Sequence, residues 1–287
     1  MVSVHHRYAN VGGHRVFFRE AGSRDHPSVV FLHGFPTGSS MFRGLLPLLA
    51  DRWHVLAPDL LGFGLSDAPP AEEFAYSFDS LATITAGLLA QLGIDRYALY
   101  VHDYGAPIGW RLALRTPEAV RAIVSQSGNA YNEGLQPEFF VPLRRYWQNP
   151  VPDAEAGARE MLTLDLIRWL YVSGEPNETL IDPATWTRDY DLITRPGNDR
   201  VQLALFGDYP ANLMLYPLVQ QYFRASQVPL LAVWGRNDPV FGPAGALAFV
   251  TDLPDAEVHL LDGGHFLLET ALHDVAALVV GFLGKHL

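Results

Sequence analysis

The sequence predicts an α/β protein: a mostly parallel sheet flanked by helices on both faces, with one block of helices inserted into it. Three observations carry that prediction. Six short runs are apolar or β-branched, the last interrupted only by His259, as in strands buried on both faces. Helical patterns alternate with these runs, the rhythm of parallel strands joined by crossover helices. One long stretch, from about 130 to 225, keeps amphipathic helical spacing and contains no run that reads as a strand.

The elements follow in chain order. Tyr8 to Glu20, around Gly12-Gly13, reads as an antiparallel hairpin added to the sheet edge. Val29–Leu32 is a buried strand ending at His33-Gly34, and Val55–Ala57 is another ending at Pro58-Asp59. Leu81, Ile84, Thr85, Leu88, Leu89 and Leu92 keep helical spacing, with Asp79 or Ser80 as a possible cap and Gly93 as the stop. Tyr97–Val101 is a strand ending at His102-Asp103, and a helix from about Gly105 to Arg115 ends before Pro117. Ala122–Val124, Leu230–Trp234 and Val258–Leu261 complete the strands, and a last helix covers about Leu272 to Leu283. In the inserted stretch, Met161, Leu164, Ile167 and Leu170 show the helical period, and Pro137, Pro142, Pro150 and Pro152 punctuate its entry. The expected division is therefore a core of residues 1–129 and 226–287 and a helical cap, or lid, of residues 130–225.

Composition bounds the function classes. A 287-residue chain suits one large α/β domain carrying an insertion. A net charge of −11 repels phosphate backbones, so no nucleic-acid partner is expected. With no cysteine there is no disulfide, no thiolate metal site and no cysteine nucleophile. The first ten residues are polar and lack the apolar core of a signal peptide, and no apolar run has the length of a membrane span. The expectation is a soluble cytoplasmic protein with no membrane partner, no metal and no cofactor.

In open parallel sheets, sites form at the carboxyl ends of strands. The polar residues there are His33-Gly34-Phe35-Pro36, His102-Asp103-Tyr104-Gly105, Asn237-Asp238 and Gly263-Gly264-His265. Asp103 occupies a strand–turn–helix junction, the place of a nucleophile elbow, at a helix N-terminus that favours an anion. Taken singly, Asp103 also reads as an N-cap, Asp238 as a turn residue before Pro239, and His265 as a packed loop histidine. Together they stand in the order nucleophile, acid, histidine, each just after a strand. Asn237 is the alternative acid, although an amide stabilises an imidazolium less well. Ser66, in Gly64-Leu65-Ser66-Asp67-Ala68, is a weaker serine alternative with no convincing helix behind it. His102 precedes the nucleophile and should point away from Asp103.

His33-Gly34-Phe35-Pro36, Gly62-Phe63-Gly64-Leu65-Ser66-Asp67, His102-Asp103-Tyr104-Gly105, Gly235-Arg236-Asn237-Asp238-Pro239 and Gly264-His265-Phe266 together resemble the α/β-hydrolase fold, in its epoxide hydrolase and haloalkane dehalogenase branch. The resemblance spans essentially the whole chain, including the cap. It implies that Asp103 attacks an sp³ carbon to form an alkyl-enzyme ester, and that His265, oriented by Asp238, activates the water that hydrolyses it. It further implies an oxyanion hole from the backbone N–H groups of Phe35 and Tyr104, a cis bond between Phe35 and Pro36, and a structural role for the Ser66 loop. A carboxylate nucleophile suits such substrates because its ester keeps a carbonyl that water can attack, whereas serine would leave a stable ether.

Within that branch, halide departure needs N–H donors, commonly a Trp after the nucleophile and an Asn in the first loop. Tyr104 and Phe35 stand there instead. Epoxide opening needs phenolic acids from the cap, for which Tyr146 and Tyr216 are the candidates among several cap tyrosines. A haloacid would need a cationic clamp, and Arg111 lies two turns along the helix from Asp103. Epoxide hydrolysis to a diol is thus the leading expectation, with dehalogenation and a non-catalytic small-molecule-binding role as alternatives. The expected pocket lining is His33, Pro36, Trp147, Trp169, Trp186, Phe206 and Phe266, around a small apolar substrate with water as co-substrate, in a monomer or homodimer.

Overall fold

A computed structural model describes residues 2–287. Eight strands form one sheet in the order β1-β2-β4-β3-β5-β6-β7-β8. They are β1 (His5–Val11), β2 (His14–Ala21), β3 (Ser28–Leu32), β4 (His54–Pro58), β5 (Tyr97–His102), β6 (Val120–Gln126), β7 (Leu230–Gly235) and β8 (Glu257–Leu261). The opening hairpin β1–β2 is antiparallel and joins the edge of β4 in antiparallel fashion, from Phe18 opposite Pro58 to Ala21 opposite Val55. Every other pairing is parallel, and β3, β4, β5 and β7 are almost wholly buried, as their unbroken apolar sequences require.

The helices outside the insertion are α1 (Leu46–Leu49), α2 (Phe78–Leu92), α3 (Gly105–Arg115), α9 (Pro243–Asp252), α10 (Leu267–Thr270) and α11 (Leu272–His286). The cap of α2 differs from the sequence expectation. Ser77, not Asp79 or Ser80, is the N-cap, and Ser80 is its reciprocal partner in a capping box. The apolar spacing located this helix but not its first turn, because Phe78 already packs inward. Gly93 closes α2 in the left-handed conformation (φ 72°). The last helix extends three residues past the expected Leu283, to His286.

Between β6 and β7 the described chain is helical: α4 (Pro137–Gln148), α5 (Pro152–Arg159), α6 (Leu164–Val172), α7 (Pro183–Ile193) and the 29-residue α8 (Asn198–Ser226). α8 continues through Pro210 and Pro217. It packs against α4, α5 and α7, and also against α2 and α3, so it binds the insertion to the core. No described helix is long and apolar enough to cross a membrane.

The sheet order fixes where a site can form. The connection leaving the carboxyl end of β3 runs to β4 on one side, and that leaving the adjacent β5 runs to β6 on the other. The crevice they leave is the topological switch point of the sheet. The loop after β3 and the turn after β5 both open into it, beneath the helical insertion.

Candidate active site

Asp103 is the turn between β5 and α3. Its φ of 48° lies in the left-handed region, which for a non-glycine residue costs about 1–3 kcal/mol and persists only where surrounding structure enforces it. The turn lifts the carboxylate out of the sheet. The Phe35 N–H donates to Asp103 Oδ1 at 2.7 Å, and the Tyr104 N–H also bears on the carboxylate. Gly34 makes this approach possible, because a Cβ there would sit on the Asp103 carboxylate. The peptide after Phe35 is cis, as the resemblance implied.

His265 and Asp238 come to the same place from the loops after β8 and β7. His265 Nε2 lies 3.9 Å from Asp103 Oδ2, and its Nδ1 is 2.9 Å from Asp238 Oδ2. Asp238 is itself fixed: its Oδ1 accepts from the N–H groups of Val240 (2.8 Å) and Phe241 (3.0 Å). All three side chains are buried. Burial raises the Asp103 pKa, against the pull of His265 and the two backbone N–H groups. The helix N-terminus was expected to favour the anion, and desolvation outweighs it. For His265, burial works against the imidazolium, but the Asp238 and Asp103 carboxylates outweigh burial and the pKa rises.

The alternative residues are occupied elsewhere. Asn237 Nδ2 donates to the Gly174 carbonyl at 3.0 Å and to Asp262 at 3.1 Å, not to His265. Ser66 donates to the Asp59 carbonyl at 2.6 Å and accepts from the Phe17 N–H at 2.9 Å, so it ties the hairpin to its own loop. His102 contacts the His265 backbone carbonyl at 3.1 Å through Nε2, away from Asp103. Arg111 donates to Asn212 at 2.8 Å, outside the cavity. Among the described residues no group of three or more His, Cys, Asp or Glu is arranged to hold a metal ion.

A narrow cavity lies over Asp103 and His265. Phe35, Tyr104 and Phe206 line it, together with Phe139, Phe140, Leu143, Met161, Leu170, Tyr209, Val240 and Phe241, and no Lys or Arg does. Several residues expected in the lining stand behind it instead. His33 is buried in the loop framework, with Nδ1 on the Gly34 carbonyl and Nε2 accepting from the Leu60 N–H at 3.0 Å, and Pro36 lies beyond the cis bond. Trp147 stacks on Tyr209 with 5.6 Å between ring centroids and donates its indole N–H to the Phe206 carbonyl at 2.6 Å. Trp169 borders an outer groove and stacks on Phe139, while Trp186 and Phe266 both pack against Tyr171.

The tyrosines differ as well. Tyr146 is not among the lining residues. Tyr216 is buried one layer back, hydrogen-bonded to Asn129 (3.2 Å) and to the phenol of Tyr209. Tyr209, which sequence reading passed over, is the insertion tyrosine that faces the cavity. Its signal was available: it precedes Tyr216 by seven residues, two turns on one helical face. Burial first, then the neighbouring phenol and the Asp103 carboxylate, hold the Tyr209 pKa well above the usual value, so the phenol stays protonated. Phe241 and Val240 follow Asp238 in its own loop.

A mostly parallel eight-stranded sheet with helices on both faces, an elbow after β5, and a histidine and a carboxylate after the last two strands define an α/β hydrolase. Residues 27–272 match the alpha/beta hydrolase fold family, and the chain belongs to that family. It is 40% identical to an uncharacterized hydrolase of Saccharomyces cerevisiae, over all of this chain and 99% of that one. It is 38% identical to epoxide hydrolase 2 of Siraitia grosvenorii, over 99% of this chain and 100% of that one. The solved structure of the haloalkane dehalogenase DbeA from Bradyrhizobium elkani is similar with a TM-score of 0.79 and 26% identity, covering 99% of this chain and 98% of that one. The protein is a hydrolase of this family.

Proposed function

We propose that the protein is an epoxide hydrolase that works through a covalent ester on Asp103, with the helical insertion acting as the cap over its site. The observation that carries the reading is the Tyr209 phenol, lining the same apolar cavity as Asp103 and backed by Tyr216. Asp103 Oδ2 attacks an epoxide carbon, the ring C–O bond breaks, and the departing oxygen takes the Tyr209 proton. Oδ1, which already accepts from the Phe35 N–H, becomes the ester carbonyl oxygen, with the Tyr104 N–H also bearing on the carboxylate. His265 Nε2 then takes a proton from water, whose oxygen adds to the Asp103 carbonyl carbon. The oxyanion forms on Oδ1, the ester C–O bond breaks, and the diol leaves after taking the carboxylic proton. The imidazolium returns its proton to the Tyr209 phenolate, so epoxide plus water gives diol with every group restored.

Apart from Asp103 and His265 the cavity is walled by apolar and aromatic side chains with no Lys or Arg, which supports a small, neutral, apolar substrate and argues against a haloacid, which needs a cation. Dehalogenation is the second reading, favoured by the similarity to DbeA. Against it, Phe35 and Tyr104 offer no side-chain N–H, and the Trp147 N–H is already given to Phe206. The test is to replace His265 with Gln, incubate with epoxides and haloalkanes, and weigh the intact protein. Alkylation without hydrolysis leaves the ester in place. An adduct of full epoxide mass on Asp103 is the expected result; an adduct formed only from haloalkanes, with halide lost, transfers the assignment to dehalogenation. Turnover of any substrate by Asp103→Ala sinks both.

A further inference from the structure

Glu175 lies outside the catalytic group, in the loop that follows α6 of the insertion. Its Oε1 accepts from the Gly264 N–H at 2.8 Å and its Oε2 from the Thr270 hydroxyl at 2.7 Å. One carboxylate thus bridges the two sides of the loop that presents His265: Gly264 immediately precedes the histidine, and Thr270 ends α10 behind it. The backbone of the same segment is seated as closely. The Ser173 carbonyl occupies the space a Gly264 side chain would need, and the Gly174 carbonyl accepts from Asn237, next to Asp238. Three consecutive residues of the insertion therefore hold both the histidine loop and the acid loop. At its other end the same path reaches the cavity, where Leu170 of α6 forms part of the wall.

We infer that Glu175 is a positioning residue for His265: its two hydrogen bonds hold the loop so that Nε2 faces Asp103, and α6 connects that hold to the wall of the cavity. The inference rests on the proposed ester chemistry for its kinetic consequence, though not for its structural one. The groups around the carboxylate fit a hydrogen-bonding role better than an ion pair. Asp262 and Glu269 are the charged neighbours that bear on it, and both raise its pKa after burial itself, while the Thr270 and Gly264 donors lower it. Glu269 is itself paired with Arg43, at 2.7 and 2.9 Å.

The test compares Glu175→Ala with Glu175→Gln, whose amide can still accept from Gly264 and meet the Thr270 hydroxyl. In single-turnover experiments the Ala variant should alkylate Asp103 at the wild-type rate but hydrolyse the ester about 100-fold more slowly, the cost of a misplaced catalytic group. The Gln variant should recover most of that loss. Hydrogen exchange supplies the second readout, independent of any substrate: the amides of 263–266 should exchange faster in the Ala variant and at the wild-type rate in the Gln variant. Unchanged exchange in Glu175→Ala overturns the inference even if no ester is ever found. So does equal slowing of alkylation and hydrolysis, which marks a general loss of structure, or a Gln variant as impaired as Ala, which assigns the effect to charge. Failure of the ester reading has a different signature: no adduct on any variant, with the exchange pattern intact.

Discussion

Replacing Asp238 with Asn isolates one hydrogen bond. In the native arrangement Asp238 Oδ2 receives the His265 Nδ1–H at 2.9 Å, which leaves Nε2 unprotonated and facing Asp103. The other oxygen is committed to the N–H groups of Val240 and Phe241, at 2.8 and 3.0 Å. An asparagine must keep its single amide oxygen toward those two donors, because turning its NH₂ group there sets donor against donor in a buried site. Its nitrogen then faces His265 Nδ1. The imidazole answers by taking the other tautomer, with Nδ1 accepting and Nε2 carrying the hydrogen. A base that already carries its proton cannot activate water, and the carboxylate that stabilised the imidazolium is gone. Triads on other folds lose about 10⁴-fold on this acid-to-amide exchange. The same loss in ester hydrolysis raises that barrier by about 5.5 kcal/mol. Attack by Asp103 on substrate needs no base and should slow far less, so the alkyl-enzyme accumulates. Rapid quenching followed by intact-mass measurement follows both steps. The fold should survive, since Val240 and Phe241 keep their acceptor. Hydrolysis within tenfold of wild type would falsify the tautomer argument and with it the role given to Asp238.

Three further outcomes are expected. Because Asp238 and Asp103 raise the His265 pKa against burial, the imidazole of the free protein should titrate above an ordinary histidine, which NMR of the ring reads; esterification removes the Asp103 charge, so single-turnover ester hydrolysis should lose its general base at a lower pH than that titration, and coincident midpoints would contradict this. The same upward shift adds folding stability at pH values below the unfolded histidine pKa, which is lost as pH rises through the folded one. Tyr209→Phe should slow epoxide ring opening by about 10²–10⁴-fold while leaving hydrolysis of a preformed ester unchanged, whereas Tyr146→Phe should change neither; transient kinetics on both variants decides. Gly34→Ala places a Cβ against the Asp103 carboxylate, so on the His265→Gln background it should abolish the mass adduct, and a normal adduct would show that the approach of the two loops is not needed.

What the sequence alone determined is what local chemistry encodes. Unbroken apolar runs such as Val29–Leu32 and Tyr97–Val101 specify strands buried on both faces, and Gly93 and Pro117 specify where helices end. The motif residues Asp103, Asp238 and His265 were legible because each sits just past a strand, where a parallel sheet exposes its loops. Tertiary structure decided which side chains face the cavity. Trp147 and Phe206 both read as aromatic residues of an amphipathic insertion, yet only Phe206 reaches the cavity, while Trp147 gives its N–H to that residue's carbonyl. Tyr146 and Tyr209 differ in the same way, because the rotation of each helix about its axis is set by what it packs against. Glu175 was invisible for the same reason. Its two partners lie 89 and 95 residues away, and only folding brings that carboxylate to the histidine loop.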